Sequence, residues 1–414
     1  MLLKGLSSGD VPVAAGEVVV VGREQMQEEE DAGTNCFAAS LLEQGRVKVE
    51  VLNPCGLFVV SRGREEQAHT RGETVFVEAG DEIRVGGTTM SVEREGGSKR
   101  ARVAAAHATV LIGGELRVTG VALGTLQLGV NYPEPRPARE EALRLVRAAA
   151  DAGVTLFDTS DAYGRNGSEM GYAEELLAEA LRGRAETEAV IATKGGMQRH
   201  AANEQSNNTW LRPVASPERI EELIRASHAR LGGQRSIALW QVHHVDEKAT
   251  VPVMRAAQRM QQAGLIRHLG ACNVSVAQLE ALRKEGIRIA TVQNEFSIWT
   301  RTAASASNGN LTGKTGLLDY CRQHGLVFLA YSPLGGLKTR RGERSLVRDF
   351  PQFAGAAERR QCDPCALLMA VMRRLFPEVV LLVGTRSVAR ASHLLDYENI
   401  ALTVEEAKKL WPAK

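Results

Sequence analysis

Three stretches decide the fold: VTLFDTSDAYG (154–164), VIATKGG (190–196) and IALWQVHHVD (237–246). Each opens as a short apolar run, Val154–Phe157, Val190–Ala192 and Ile237–Val242, and then turns polar. A segment of helical period follows each: Tyr172–Leu181, Pro217–Leu231 with Ser216 placed to cap it, and Val251–Ala263. Short apolar strands alternating with helices predict a parallel sheet, because parallel neighbours need a crossover long enough to hold a helix.

The pattern continues in both directions. Upstream, Val121–Leu123 precedes a helix over Glu140–Ala152 that Gly153 closes. Downstream, strands fall at Arg267–Leu269, Ile289–Val292, Val327–Ala330 and Val379–Leu382, with helices near 275–285, 316–324, 363–375 and 387–395. Eight strand-then-helix units between residues 108 and 414 fit a closed (β/α)8 TIM barrel better than an open doubly wound sheet. No GxGxxG follows a strand, so the dinucleotide-binding fingerprint of the open fold is absent. Just before the first barrel strand, ATVLIGGELRVTG (108–120) reads as a hairpin turning at Gly113–Gly114, placed to plug the barrel bottom.

The 414 residues are long for one domain. Before residue 94 the period changes to short β-rich runs, Glu17–Val21, Val47–Leu52, Leu57–Val60, Thr74–Val77, Glu82–Val85 and Thr88–Val92, separated by Gly, Asn and Pro. We therefore expect a small all-β sandwich over 1–93, a Gly-rich then basic linker over 94–107 (REGGSKRARVAAAH), and the barrel over 108–414. Residues 1–105 carry a net charge of −5 and the remainder +7, a mild and unclustered basic excess that gives no case for nucleic acid. Six cysteines are sparse for this length and point to a reducing compartment. The CDPC at 362–365 has no second pair nearby, so no metal is expected there; Asp363 and Pro364 read as helix-start punctuation. The first residues lack a secretory profile and turn acidic at Glu28–Asp31, and no apolar run approaches the ~20 residues of a membrane span. A cytoplasmic protein with no membrane partner is the expectation.

Barrels place reactive groups at the C-terminal ends of their strands. Here those ends carry Asp158 and Tyr163, then Lys194, then His243. Singly, such an Asp is often a turn former and such a His a packing residue; together, on consecutive strands, they form a candidate site. The segments LGTLQLG, FDTSDAYG, IATKGG, QVHHVD, IRHLGACNVS, VQNEFS, AYSPLGG and VGTRSV resemble the aldo-keto reductases, in that family's order, over about residues 108–411. The resemblance implies an NAD(P)H-dependent oxidoreductase that reduces an aldehyde or ketone, with Asp158, Tyr163, Lys194 and His243 as its catalytic tetrad. The chemistry suits those roles. A tyrosine ionises near ~10, poorly matched to neutral pH, and an adjacent ammonium pulls that value down. Lys194 supplies the cation, Asp158 holds it, His243 polarises the carbonyl, and Tyr163 donates the proton. His244 confuses the assignment; strand alternation would send the two rings to opposite sides, with His244 at the rim.

The resemblance also implies an NADPH site. Asn273 and Gln293 match positions that bond the nicotinamide carboxamide, with Cys272 where the family often has Ser. Phe296 lies near the position of a stacking aromatic, or else closes the core. Tyr331, Ser332, Pro333, Leu334 and Gly335 match the segment along the pyrophosphate. Gly384, Thr385, Arg386 and Arg390, at a strand-to-helix turn, fit a phosphate and favour NADPH over NADH. The chain departs from the family at Val383, usually Pro, and at Asp396-Tyr397, usually Glu-Asn near the adenine. Likeness to reductases of the pyridoxal-reductase kind implies a small aromatic aldehyde. Stretches 300–316 and 338–348 fall where specificity loops would lie, and Trp210 or Trp299 would line the pocket or pack the core.

Residues 16–94 resemble a forkhead-associated domain, a phosphothreonine-binding β-sandwich, through GEVVVVGRE, GRVKVEVLNPCGLFV and GDEIRVGG. Arg23 matches the arginine that meets the phosphopeptide. The Ser-Arg pair that should follow falls at Phe37-Ala38, so a bidentate phosphate contact worth about 1.5–3 kcal/mol is lost. The module implies a protein partner. It also sets up an alternative function, an adaptor whose barrel holds cofactor with little turnover.

Overall fold

The computed structural model describes strands within residues 1–106 and, beyond them, residues 107–131, 134–197, 216–304 and 316–412. The chain divides into two compact units, Met1–Ala108 and Thr109–Lys414. In the first, Val18–Val21, Phe37–Leu41, Val47–Val51 and Thr74–Val77 pair as one antiparallel sheet. A second, seven-stranded sheet includes Thr88–Arg94 and Ala101–Ala106. The latter strand runs inside the stretch 94–107 that the sequence reads as linker. Phe37-Ala38 lie in a strand, whereas Arg23 and the side-chain packing that a sandwich needs lie outside the described residues.

The second unit is a closed barrel of eight strands: β1 (Val121–Gly124), β2 (Leu156–Asp158), β3 (Val190–Gly195), β4 (Ile237–Val242), β5 (Ile266–Cys272), β6 (Thr291–Glu295), β7 (Val327–Tyr331) and β8 (Val379–Val383). All are parallel, and β8 returns to β1 through Val121↔Leu381 and Leu123↔Val383. These strands are apolar on both faces because a parallel barrel is covered outside by helices and filled inside by side chains. Ala122, Leu156, Val190, Ala192, Leu239, Leu329 and Val380 fill the interior. The hairpin Thr109–Ile112/Leu116–Thr119 adds Ile112, Leu116 and Val118 to that same cluster, so it plugs the barrel as its sequence implied. Its turn needs glycine: Gly113 and Gly114 have φ of 62° and 82°, a region that costs any residue with a Cβ.

Several strands run further into polar sequence than their apolar runs suggested. Asp158 pairs with Ala192, Lys194 with Gln241, and Cys272 with Gln293 within the ladder. The ladder is set by backbone bonds, so polar residues extend a strand where a neighbour continues beside them. Around the barrel, Ser216 caps Pro217–Arg230 by accepting from the Arg219 amide. Asp363 accepts from the amides of Cys365 and Ala366 at the start of Pro364–Leu375, which gives the CDPC a capping role. Short helices Gly336–Arg340, Leu346–Asp349 and Gln352–Arg359 occupy the region after β7, where the basic stretch 338–348 reads as loop. Val276–Lys284 starts with a complete capping box between Ser275 and Gln278. Ser275→Ala should therefore cost about 1 kcal/mol, read as a lowered denaturation midpoint with unchanged far-ultraviolet dichroism. Among the described residues no helix is long and apolar enough to cross a membrane.

Candidate active site

The C-terminal ends of β2, β3 and β4 bring four polar side chains together under almost complete burial. Asp158 is 3% exposed, Lys194 1%, Tyr163 7% and His243 8%. The loop after β2 is tied to β3 by backbone bonds from Thr159 to Ala192 (2.8 Å) and from Asp161 to Lys194 (3.0 Å). His243 is pinned likewise, its amide donating to the Gly195 carbonyl at 2.9 Å.

Lys194 donates from Nζ to Asp158 Oδ1 at 2.5 Å and to the Thr159 carbonyl at 2.7 Å. Asp158 Oδ2 accepts from Gln293 Nε2 at 2.9 Å, so both carboxylate oxygens are held. The ammonium stands 5.0 Å from the centroid of the Tyr163 ring, which meets the His243 ring almost edge-on at 5.8 Å. Burial, the largest single influence, lowers the ammonium's pKa, but the charge and hydrogen bond of Asp158 together with the neighbouring Tyr163 and Cys272 raise it overall, so the cation persists. For Tyr163 the balance differs from the sequence expectation. Burial pushes the phenol up to about 12, and the Lys194 ammonium offsets only part of that shift. The phenol keeps its proton in this environment.

His244 does not point away from His243. Their rings stack with centroids 5.6 Å apart, because β4 ends at Val242 and alternation ends with it. His244 is exposed and bonds Asn273 Nδ2 through Nε2 at 2.9 Å.

Of the other residues singled out by sequence, Asn273 sits beside the tetrad with φ of 56°. Its Nδ2 donates to the His243 carbonyl at 3.0 Å, and its Oδ1 accepts from Tyr331 Oη at 2.8 Å. Cys272 is buried at the end of β5, and burial raises its thiol pKa well above the usual range. Ser332, with φ of 54°, begins the turn through Pro333, Leu334 and Gly335; Gly335 (φ 87°) packs so closely on Thr339 and Trp299 that a Cβ would collide. Phe296 is fully buried among Phe328, Phe376 and Trp411, which places it in the core. Trp299 donates to Asp349 and packs on Phe350, and Trp210 lies outside the described residues.

After β8, Gly384 and Arg390 are exposed and Thr385 is buried. Asp396 is exposed, 2.7 Å from His393 Nδ1. Arg386 donates to the Gln127 carbonyl (3.2 Å) and to Glu134 (2.8 Å). Arg340 meets the same Glu134 oxygen at 2.7 Å. Sequence reading placed Arg340 only in a basic loop; the short helix Gly336–Arg340 brings it beside Arg386. Glu134 and Ser160 were missed because neither residue type signals a site without its neighbours.

The model of the aldo/keto reductase family matches residues 120–411. An oxidoreductase of Schizosaccharomyces pombe is 30% identical over 229 residues, 53% of this chain and 61% of the yeast protein. The chain thus spans about three-fifths of that relative's length. Among solved structures, a glycerol dehydrogenase from Gluconobacter oxydans has a TM-score of 0.58 at 26% identity, covering 73% of this chain and 93% of its own. An aldo/keto reductase from Klebsiella pneumoniae, in complex with NADP and acetate, has a TM-score of 0.57 at 22% identity, covering 74% and 94%. That second likeness shows the fold alone. From the family match along the whole barrel, the chain belongs to the aldo/keto reductase family.

Proposed function

We propose that the protein reduces a carbonyl to an alcohol with NADPH, Tyr163 donating the proton. The observation that carries this reading is the buried Asp158–Lys194 pair lying against a protonated Tyr163, with His243 edge-on beside the same phenol. The residues present fit a phosphate-bearing nicotinamide cofactor. Nη1 of Arg340 is buried without a hydrogen-bond partner, next to Arg386, and such an orphaned guanidinium nitrogen suits an anionic oxygen.

When bound, NADPH supplies hydride to the carbonyl carbon. The chain's own residues do the rest. His243 donates to the carbonyl oxygen and orients it, and Tyr163 gives that oxygen its proton. Lys194 stabilises the phenolate left behind, and Asp158, fixed by Gln293, keeps the ammonium in place. Asn273 and Gln293 would meet the carboxamide, beside Cys272. Gly384, Thr385, Arg386 and Arg390 would hold phosphate, the segment Tyr331 to Gly335 would follow the pyrophosphate, and Asp396 would stand near the adenine.

The test is NADPH consumption by the full chain against a panel of small aldehydes that includes pyridoxal. Turnover of aromatic aldehydes establishes the reductase reading. NADPH binding without any turnover overturns it in favour of the adaptor, whose N-terminal unit would bind a partner. Arg386→Ala should weaken NADPH roughly ten- to a hundredfold, the loss of a charged hydrogen bond, while NADH affinity changes little. Fluorescence titration with both nucleotides reads the difference, and equal losses for the two would remove Arg386 from the 2′-phosphate site.

A further inference from the structure

Behind His243 lies a buried chain of polar groups that the carbonyl-reduction scheme leaves unused. Ser160 is fully buried, and its Oγ lies 3.2 Å from His243 Nδ1, 3.2 Å from Asp161 Oδ1 and 3.2 Å from the Lys194 carbonyl. The same Oγ accepts from the Ala162 amide at 3.1 Å. Asp161 is also fully buried, and its Oδ2 has no hydrogen-bond partner. Glu174, buried beside it, is held by Thr193 Oγ1 at 2.6 Å and by Arg230 Nε at 2.6 Å.

We propose that Ser160, backed by Asp161, is a positioning residue that fixes His243 in the tautomer carrying its proton on Nε2. The inference rests on the reading above, in which His243 donates to the substrate oxygen. A neutral imidazole has one N–H, and the hydrogen bond at the other nitrogen decides which nitrogen bears it. If Nε2 is to donate, Nδ1 must accept, and the Ser160 hydroxyl is the donor within reach.

A hydroxyl has one proton and two lone pairs. An ionised Asp161 would compete for that proton at the same 3.2 Å. A protonated Asp161 instead donates to Oγ, and all three valences of the hydroxyl are then filled. It accepts from Ala162 N–H and from the Asp161 carboxyl, and it donates to Nδ1 rather than to the Lys194 carbonyl, which already accepts from the Asp161 amide at 3.0 Å. The groups that face Asp161 favour this state. Burial and the Glu174 carboxylate raise its pKa well above the usual carboxylate range; Arg230, Ser160 and the Ala162 amide oppose them less strongly. Protonation also makes the unpartnered Oδ2 a neutral carbonyl oxygen, which is less costly to bury than a carboxylate oxygen.

The full-length protein labelled with nitrogen-15 histidine tests this without turnover, the His243 signals being assigned by their loss in His243→Asn. The expected spectrum has a protonated Nε2 and a bare, hydrogen-bonded Nδ1. Ser160→Ala should redistribute the proton between the two nitrogens and lower kcat/KM about tenfold, with NADPH affinity unchanged. Asp161→Asn, whose amide still donates to Ser160, should keep the tautomer, whereas Asp161→Ala should lose it. A wild-type His243 protonated on Nδ1, or a tautomer ratio indifferent to Ser160→Ala, overturns the proposal. Asp161→Asn matching Asp161→Ala overturns the donor role of Asp161. The expected spectrum in a protein that turns over no aldehyde would uphold the tautomer control and sink the reductase reading instead.

Discussion

Tyr163→Phe should lower kcat for aldehyde reduction roughly a hundred- to ten-thousandfold, the range spanned by loss of a positioned general acid. The substitution removes one hydroxyl from a ring that stays packed at 7% exposure against His243, so neither fold nor cofactor affinity should change. The phenol's pKa, pushed up to about 12, means the donor is fully protonated across the workable pH range. Titration of Tyr163 should therefore leave no acid limb or alkaline fall near neutrality in the pH profile. Steady-state kinetics with NADPH titration in parallel separates the effects. Retention of wild-type turnover would remove Tyr163 as donor, and a lost NADPH affinity would show instead that the ring serves binding.

Lys194→Met should be both inactive and markedly less stable. Asp158 and Lys194 are each almost fully buried, and together they satisfy one another. Removing the ammonium leaves a buried carboxylate with Gln293 as its remaining side-chain partner, and breaking such a pair typically costs about 3–5 kcal/mol. The double variant Lys194→Met/Asp158→Leu should recover much of that loss, because two apolar groups bury no unpaired charge, yet it should stay inactive. Chemical denaturation of the three proteins measures the coupling. A stable single variant would mean that water reaches Asp158, against the burial described above. An active double variant would mean that the pair has no part in lowering the barrier.

The sequence carried the barrel because the barrel is a matter of period and order. Eight apolar runs alternate with helical stretches, and physical rules for parallel strands leave few other ways to connect them. The hairpin plug was equally legible, from two glycines between alternating strands. That Asp158, Tyr163, Lys194 and His243 come together was legible for a related reason: strand ends are readable, and a barrel gathers its strand ends at one rim. The three short helices between 336 and 359 were not found, since short segments show little period, and Arg340 was lost with them.

What the sequence alone determined, then, is which side chains stand at the top of the barrel. What only the tertiary structure decided is how those side chains are balanced. Burial and the Lys194 ammonium act on Tyr163 in opposite directions, and only their relative size at the packed site shows that burial prevails. Asp158 and Gln293 are bonded across 135 residues, Ser160 and His243 across 83, and Arg340 and Arg386 meet at one carboxylate. Those contacts depend on through-space distance and local dielectric, which no local pattern in the chain encodes.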